Sequence, residues 1–200
     1  ILLQEHLSNV SSKILSSSFR FNLTPDASRD PQKPLYSIGA TAEEFFAMQV
    51  LCRNVKKLFK ITMSSRHEIL SQLKMLLRED KSRYYIIRTD VCHCFESIPH
   101  DKLFEYLEGN NLLDVKSKSL LRGLIRNEFE TKNLRPLIST KKTGIPRGCA
   151  ISSLLSEFYL SKIDELLRHT LPGIVFLARY VDDIIIVVHP DLDDEHWWSL

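Results

Sequence analysis

The chain has 200 residues, 44% of them hydrophobic and 26% charged, with a formal net charge of +2. That length buries a real core, as one domain or as two subdomains sharing it. Near-neutrality excludes overall charge as the means of holding a polyanion, so local basic patches must do it. The four cysteines, Cys52, Cys92, Cys94 and Cys149, show no disulfide framework. With no signal peptide or transmembrane run, this points to a reducing cytoplasm and no membrane. Cys92-His93-Cys94 lacks a second ligand pair at usable spacing for zinc. No internal repeat is present.

Ile1 to Ser17 alternates loosely like a helix, and Leu23 to Pro34, rich in proline and aspartate, reads as a loop. Phe45 to Ile61 predicts a better helix. On it Arg53, Lys56, Lys57 and Lys60 recur at helical spacing opposite Val50, Leu51, Val55 and Leu58. Such a stripe suits nucleic-acid phosphates; it is equally the pattern of an ordinary solvated face. Arg66 to Arg78 predicts another amphipathic helix, with Ile69, Leu70, Leu73, Leu76 and Leu77 inward and Arg66 at its start.

Tyr84 to Val91 is β-branched and aromatic, which predicts a strand ending at Asp90. A helix should follow, with Ser97 as cap, Pro99 in the first turn, Asp101 on the dipole and Leu103, Phe104 and Leu107 at helical spacing. Leu112 to Phe129 reads as a further helix and Asn133 to Ile145 as an irregular hairpin. Gly144-Ile145-Pro146-Arg147-Gly148 is then a loop whose glycines permit close approach of a ligand. Ile151 to His169 carries an apolar stripe of Ile151, Leu154, Leu155, Phe158, Tyr159, Ile163, Leu166 and Leu167. Ser152 or Ser153 can cap this helix, and Leu171-Pro172-Gly173 stops it.

Ile174 to Ala178 and Ile184 to Val188 are apolar runs flanking Tyr180-Val181-Asp182-Asp183, which predicts a β-hairpin with acids at its tip. Neighbours on a strand face opposite sides of a sheet, and only a turn lets Asp182 and Asp183 lean toward one site. Alone this is also an acidic turn, since Asp is a favoured turn residue. With Asp90 at a strand end, three carboxylates imply a divalent cation.

Strand ending in acid, glycine loop with helix, acidic hairpin: in that order the chain resembles the reverse transcriptases. DVCHCFESIPH resembles motif A of their palm, GIPRGCAISSLLSEFYL motif B and RYVDD motif C. The likeness implies an α+β fold, with an antiparallel palm sheet backed by helices in residues 84–200 and a mostly helical fingers region in 1–83. Group II intron and retron enzymes usually show Gly-x-Pro-Gln-Gly and then Ser-Pro. Here Arg147 and Ser152-Ser153 stand instead, with Glu157 where Asn is usual. In this the chain looks most like bacterial abortive-infection and defence-associated reverse transcriptases.

The resemblance implies RNA-templated addition of deoxynucleotides to a primer with two Mg²⁺ ions, for which Mn²⁺ can substitute. Asp90 and Asp182 would bridge the ions, Asp183 would ligate less directly, and the Val91 carbonyl would hold the nucleotide's metal. Tyr180 would pack beneath the primer end. Phe95 stands where the family has an aromatic gate against ribonucleotides, or is a core aromatic. Arg147 and Gly148 would line the nucleotide pocket, with Arg147 alternatively in an ion pair. Arg66 would grip the triphosphate or serve as a surface ion-pairing residue. Implied partners are an RNA template, a DNA or RNA primer and dNTPs, with a non-coding RNA or a second copy as further options. Untemplated or protein-primed synthesis, a group II intron or retron-type enzyme, and a non-catalytic nucleic-acid-binding scaffold are the alternatives. The thumb of such enzymes is expected beyond Leu200, after the acidic run 191–195 with Trp197 and Trp198.

Overall fold

The computed structural model describes residues 2–26, 34–79, 82–109, 112–126 and 142–189. Among them the elements in chain order are α1 Leu2–Leu15, β1 Thr24–Asp26, β2 Leu35–Ser37, α2 Ala42–Leu58, α3 Arg66–Glu79 and β3 Tyr85–Asp90. There follow α4 Cys94–Ser97, α5 His100–Glu108, α6 Val115–Arg126, α7 Ala150–Thr170, β4 Ile174–Tyr180 and β5 Asp183–Val188. The fold is α+β, and no helix among the described residues is long and apolar enough to cross a membrane. Residues 133–141 of the hairpin expected over Asn133 to Ile145, and the run 191–198, lie outside the described residues.

Two compact units divide the chain, Ile1–Ile61 with Phe95–Ser156, and Thr62–Cys94 with Glu157–Leu200. The boundary expected after residue 83 coincides with neither. Strand β3 pairs with β5, some ninety residues later, so ladder hydrogen bonds, not chain proximity, decide which segments belong together.

In the first unit α2 begins at a capping box, Thr41 Oγ1 accepting from Glu44 N while Glu44 reaches back to Thr41 N. Its C-terminus is a Schellman motif: Ile61 N donates to Lys56 O at 3.0 Å and Lys60 N to Lys57 O at 3.4 Å. Lys60, at φ 51°, occupies the left-handed position that glycine usually takes. The strands β1 and β2 form a short antiparallel pair. Helix α5 starts after Pro99, which is its cap, and Ser97 closes α4 instead of capping α5. Ser152 lies inside α7, not at a cap, and its buried hydroxyl donates to Pro146 O at 2.6 Å.

The second unit is built on a three-stranded antiparallel sheet of order β3-β5-β4. Alternation along the strands puts Ile87, Leu177, Ile184 and Ile186 on one face, where they pack with Leu167 and Leu171 at the end of α7. Each such burial contributes about 1.5–3 kcal/mol, which fixes the register, since a one-residue slip would turn this set outward. Helix α3 has no fully buried residue. Ile69, Leu73 and Leu76 are half-buried, whereas Leu70 and Leu77, expected inward, are exposed. On α7 Leu166, also expected inward, is 63% exposed.

Candidate active site

The β3–β5 register sets Asp90 directly opposite Asp183, and the β4–β5 register sets Tyr180 opposite Asp183 on the other side. Residues facing each other across a ladder share a sheet face. Arg88, Asp90, Asp183 and Tyr180 therefore project from the face opposite the isoleucine core. Because Tyr180 and Asp183 pair, Val181 and Asp182 alone make the turn, a two-residue hairpin loop.

Val181 sits at φ 60°, while Asp182 is not in the positive region. This is the pattern of a type II′ turn, whose first central position glycine prefers. A β-branched residue there stores about 1–3 kcal/mol of strain. The turn persists because neighbours hold both of its carbonyls: Val91 N donates to Asp182 O at 3.0 Å and Arg179 Nη1 to Val181 O at 2.9 Å.

Asp90, Asp182 and Asp183, with Arg88 and Thr89, line one open cleft of about 360 Å³. Arg88 Nη2 lies 3.2 Å from Asp183 Oδ1 in an exposed pair, an arrangement worth about 0–1 kcal/mol in water. Among the described residues no group of three or more His, Cys, Asp or Glu side chains is placed so that together they could hold a metal ion. The expected trio thus shares a cleft without forming a closed cluster. The donor set still fits Mg²⁺, which binds through one or two carboxylates plus substrate phosphates and seldom through an all-protein cage. Asp90 and Asp182 are the exposed carboxylates that can serve it; Asp183 is engaged by Arg88.

In the first unit the glycine loop is stitched to the chain's own backbone. Gly144 N donates to Ile98 O at 2.8 Å, Ile145 N to Phe95 O at 2.8 Å and Tyr36 N to Arg147 O at 2.6 Å. A Cβ on Gly144 would stand 3.3 Å from Glu96 O, and one on Gly148 2.8 Å from Tyr36 O. What crowds these glycines is thus the protein's own main chain, where the sequence suggested a ligand. Arg147 lies over the half-buried Phe95 ring at 5.9 Å and pairs with Glu96 at 3.2 Å. Of the two readings of Arg147, the ion pair is the one observed, and the same side chain lies beside Phe95.

Arg66 stands over the Tyr180 ring at 4.9 Å, so the start of α3 meets the hairpin. Together they border an apolar groove of about 410 Å³ that includes Leu70, Leu73 and Ile185. Arg53, Lys56, Lys57 and Lys60 are all exposed. Lys60 has left the helix, and of the apolar residues expected opposite, Leu51 and Val55 are buried while Val50 and Leu58 are at the surface.

Sequence reading missed Arg88, Arg179 and Asp164, and took Glu157 only as a departure from the family pattern. Arg88 was findable, being two residues before Asp90 and hence on its face. Arg179 is 4% exposed, and nothing in a strand sequence announces a buried guanidinium. Its partners Glu157 and Asp164 are two turns apart on one face of α7, a spacing that gains meaning only once the guanidinium is in place. Burial opposes the charge of Arg179, yet the hydrogen bonds and attraction of Glu157 and Asp164 outweigh it and push its pKa further up.

Residues 37–196 match the reverse transcriptase (RNA-dependent DNA polymerase) family, and the chain belongs to it. Among curated proteins it is 26% identical over 184 residues to the "Uncharacterized 91 kDa protein in cob intron" of Schizosaccharomyces pombe, covering 80% of this chain and 21% of that protein. It is 32% identical over 85 residues to the "Putative COX1/OXI3 intron 2 protein" of Saccharomyces cerevisiae, covering 42% of this chain and 10% of the other. This chain thus spans about a fifth or less of the length of these relatives. Among solved structures, apo telomerase from Candida tropicalis aligns with a TM-score of 0.47 at 14% identity, over 95% of this chain and 49% of that one. A telomerase from Candida albicans, in complex with a fragment of telomeric RNA, aligns at 0.42 and 12% identity, over 74% and 29%.

Proposed function

We propose that this chain supplies fingers and palm residues of an RNA-directed DNA polymerase that extends a primer with deoxynucleotides. The observation that carries the reading is Asp90 opposite Asp183 in the ladder, with Asp182 at a turn bonded to Val91 N, all lining one cleft. A non-catalytic scaffold has no use for like charges held together against their repulsion.

In the reaction the primer 3′-hydroxyl gives up its proton to water, its oxygen bonds to the α-phosphorus, and the bond to pyrophosphate breaks, so negative charge grows on attacking and leaving oxygens. Mg²⁺, when bound, neutralises that charge and lowers the hydroxyl's pKa. Asp90 and Asp182 would hold the cation, with the Val91 carbonyl as a further oxygen donor. Asp183, opposed by Arg88, supports the site from beside it. Tyr180, under the Arg66 guanidinium, forms the floor on which the primer end rests. Phe95 and Arg147, stacked on one another, form the nucleotide-facing surface, and Phe95 disfavours a 2′-hydroxyl. Arg53, Lys56, Lys57 and Lys60 take template phosphates.

At the finer level, Arg147, Ser152-Ser153 and Glu157 support the reading as a bacterial defence-type enzyme, in which the DNA made serves in arresting phage. The two fungal intron proteins support an intron-type enzyme as the second reading. Asp182→Asn keeps the size and turn preference of the side chain, so it should abolish Mg²⁺-dependent incorporation without changing the melting temperature. Wild-type incorporation by that variant would overturn the reading.

A further inference from the structure

The conformation of Val181 needs an external restraint, and the buried guanidinium of Arg179 is placed to give it. All five N–H groups of that guanidinium are used. Nε donates to both Asp164 oxygens at 3.0 Å, Nη2 to Asp164 Oδ2 and Glu157 Oε1 at 2.8 Å, and Nη1 to Glu157 Oε2 at 2.8 Å. The remaining N–H, also on Nη1, donates to Val181 O at 2.9 Å. Glu157 and Asp164 belong to one face of α7, so the helix grips the guanidinium in a fixed plane and the guanidinium grips the turn. Arg179 lies on the isoleucine face of the sheet, away from the acidic cleft, because it pairs with Ile184 in the ladder.

The two turn carbonyls are thus fixed from two sides, Val181 O by Arg179 and Asp182 O by Val91 N. Between them they set the backbone that aims the Asp182 carboxylate. We propose that Arg179, clamped by Glu157 and Asp164, is a positioning residue for Asp182: it acts through the Val181 carbonyl and touches neither substrate nor metal. The proposal rests on the polymerase reading above. It also gives Glu157 a function, as the carboxylate that orients the Arg179 nitrogen reaching the turn.

A buried ion cluster is not in itself a source of stability, and an apolar replacement of similar volume often folds as well. The test is therefore the triple variant Arg179→Met, Glu157→Met, Asp164→Leu in the full chain, with melting temperature, kcat, nucleotide KM and Mg²⁺ dependence measured together. The expected result is a folded protein with kcat down about 10²-fold, the scale of a misplaced reacting group. Nucleotide KM should hold, and the Mg²⁺ requirement should rise.

Val181→Gly on the triple background should restore about tenfold of that loss, because glycine adopts φ 60° without a restraint. In the wild-type background the same change should restore nothing. A folded triple variant with wild-type kcat, or equal effects of Val181→Gly on both backgrounds, would overturn the proposal. If the triple variant does not fold, Glu157→Gln decides: it keeps the Asp164 pair, and an unchanged kcat and Mg²⁺ dependence would equally overturn it. Asp182→Asn is assayed in parallel. Its retaining activity sinks the polymerase reading, whereas its inactivity beside an active clamp variant sinks the clamp alone.

Discussion

Replacing Gly148 by alanine should cost stability, and replacing Gly123 by alanine should add it, although the chemical change is the same. Gly148 has φ +89°, and a Cβ there would stand 2.8 Å from Tyr36 O and 3.2 Å from Tyr36 N. Both neighbours are main-chain atoms of β2, tied by the Tyr36 N to Arg147 O bond, so neither can swing aside. An L-residue in the left-handed region loses about 1–2 kcal/mol, and crowding of a packed site adds about 1–3 kcal/mol. Alanine recovers about 0.4–1 kcal/mol through the unfolded state. A net loss of about 2–3 kcal/mol is expected.

Gly123 lies inside α6, and a Cβ there meets only Arg20 Cδ, at 3.8 Å, so helix propensity decides and gains about 1 kcal/mol. Urea unfolding of both variants beside wild type measures the difference from the shift in midpoint at constant slope. If Gly148→Ala were as stable as wild type, the account of the glycine loop as packed against β2 would be refuted. If Gly123→Ala were destabilised, the placement of α6 would fail instead.

Phe95→Ala should lower the preference for dNTP over rNTP, because Arg147 alone would then cover that position; an unchanged ratio of kcat/KM values rejects Phe95 as a gate. Charge reversal of Lys56 and Lys57 should weaken template binding and reduce its slope against log salt by about 1 for each phosphate no longer neutralised; identical slopes would return this face to ordinary solvent exposure. At pH 8 an alkylating reagent should modify the exposed Cys92 well before the other thiols. Burial pushes the Cys52 thiol up to about 11 and that of Cys149 up to about 12. Thiols with raised folded-state pKa values stabilise the protein fully below the unfolded value of 9.0, and that contribution fades as pH climbs through 11 to 12. Flat stability from about pH 9 to 12, or labelling of Cys149 at the rate of Cys92, would contradict this.

Local pattern by itself determined most of the elements and the three acids. A β-branched, aromatic run marked β3, short apolar runs marked β4 and β5, helical spacing marked α2, α3, α5, α6 and α7, and Asp90, Asp182 and Asp183 stood out as acids at a strand end and a hairpin tip. What local pattern could not carry was pairing. Ser97 and Ser152 have the chemistry of caps, but Pro99 is the residue that precedes α5, and α7 already begins at Ala150, leaving the Ser152 hydroxyl to bond Pro146 O. The basic stripe lost Lys60 because the helix ended on a Schellman turn without glycine, and the glycine loop was packed against Tyr36, about a hundred residues upstream.

Tertiary structure alone decided the environment of the acids. Register placed Arg88 against Asp183, and the α7 face brought Glu157 and Asp164 to Arg179. The physical reason is that periodicity tells which side of an element is polar, whereas the partner of a charge depends on which distant segments the sheet and its covering helix bring together.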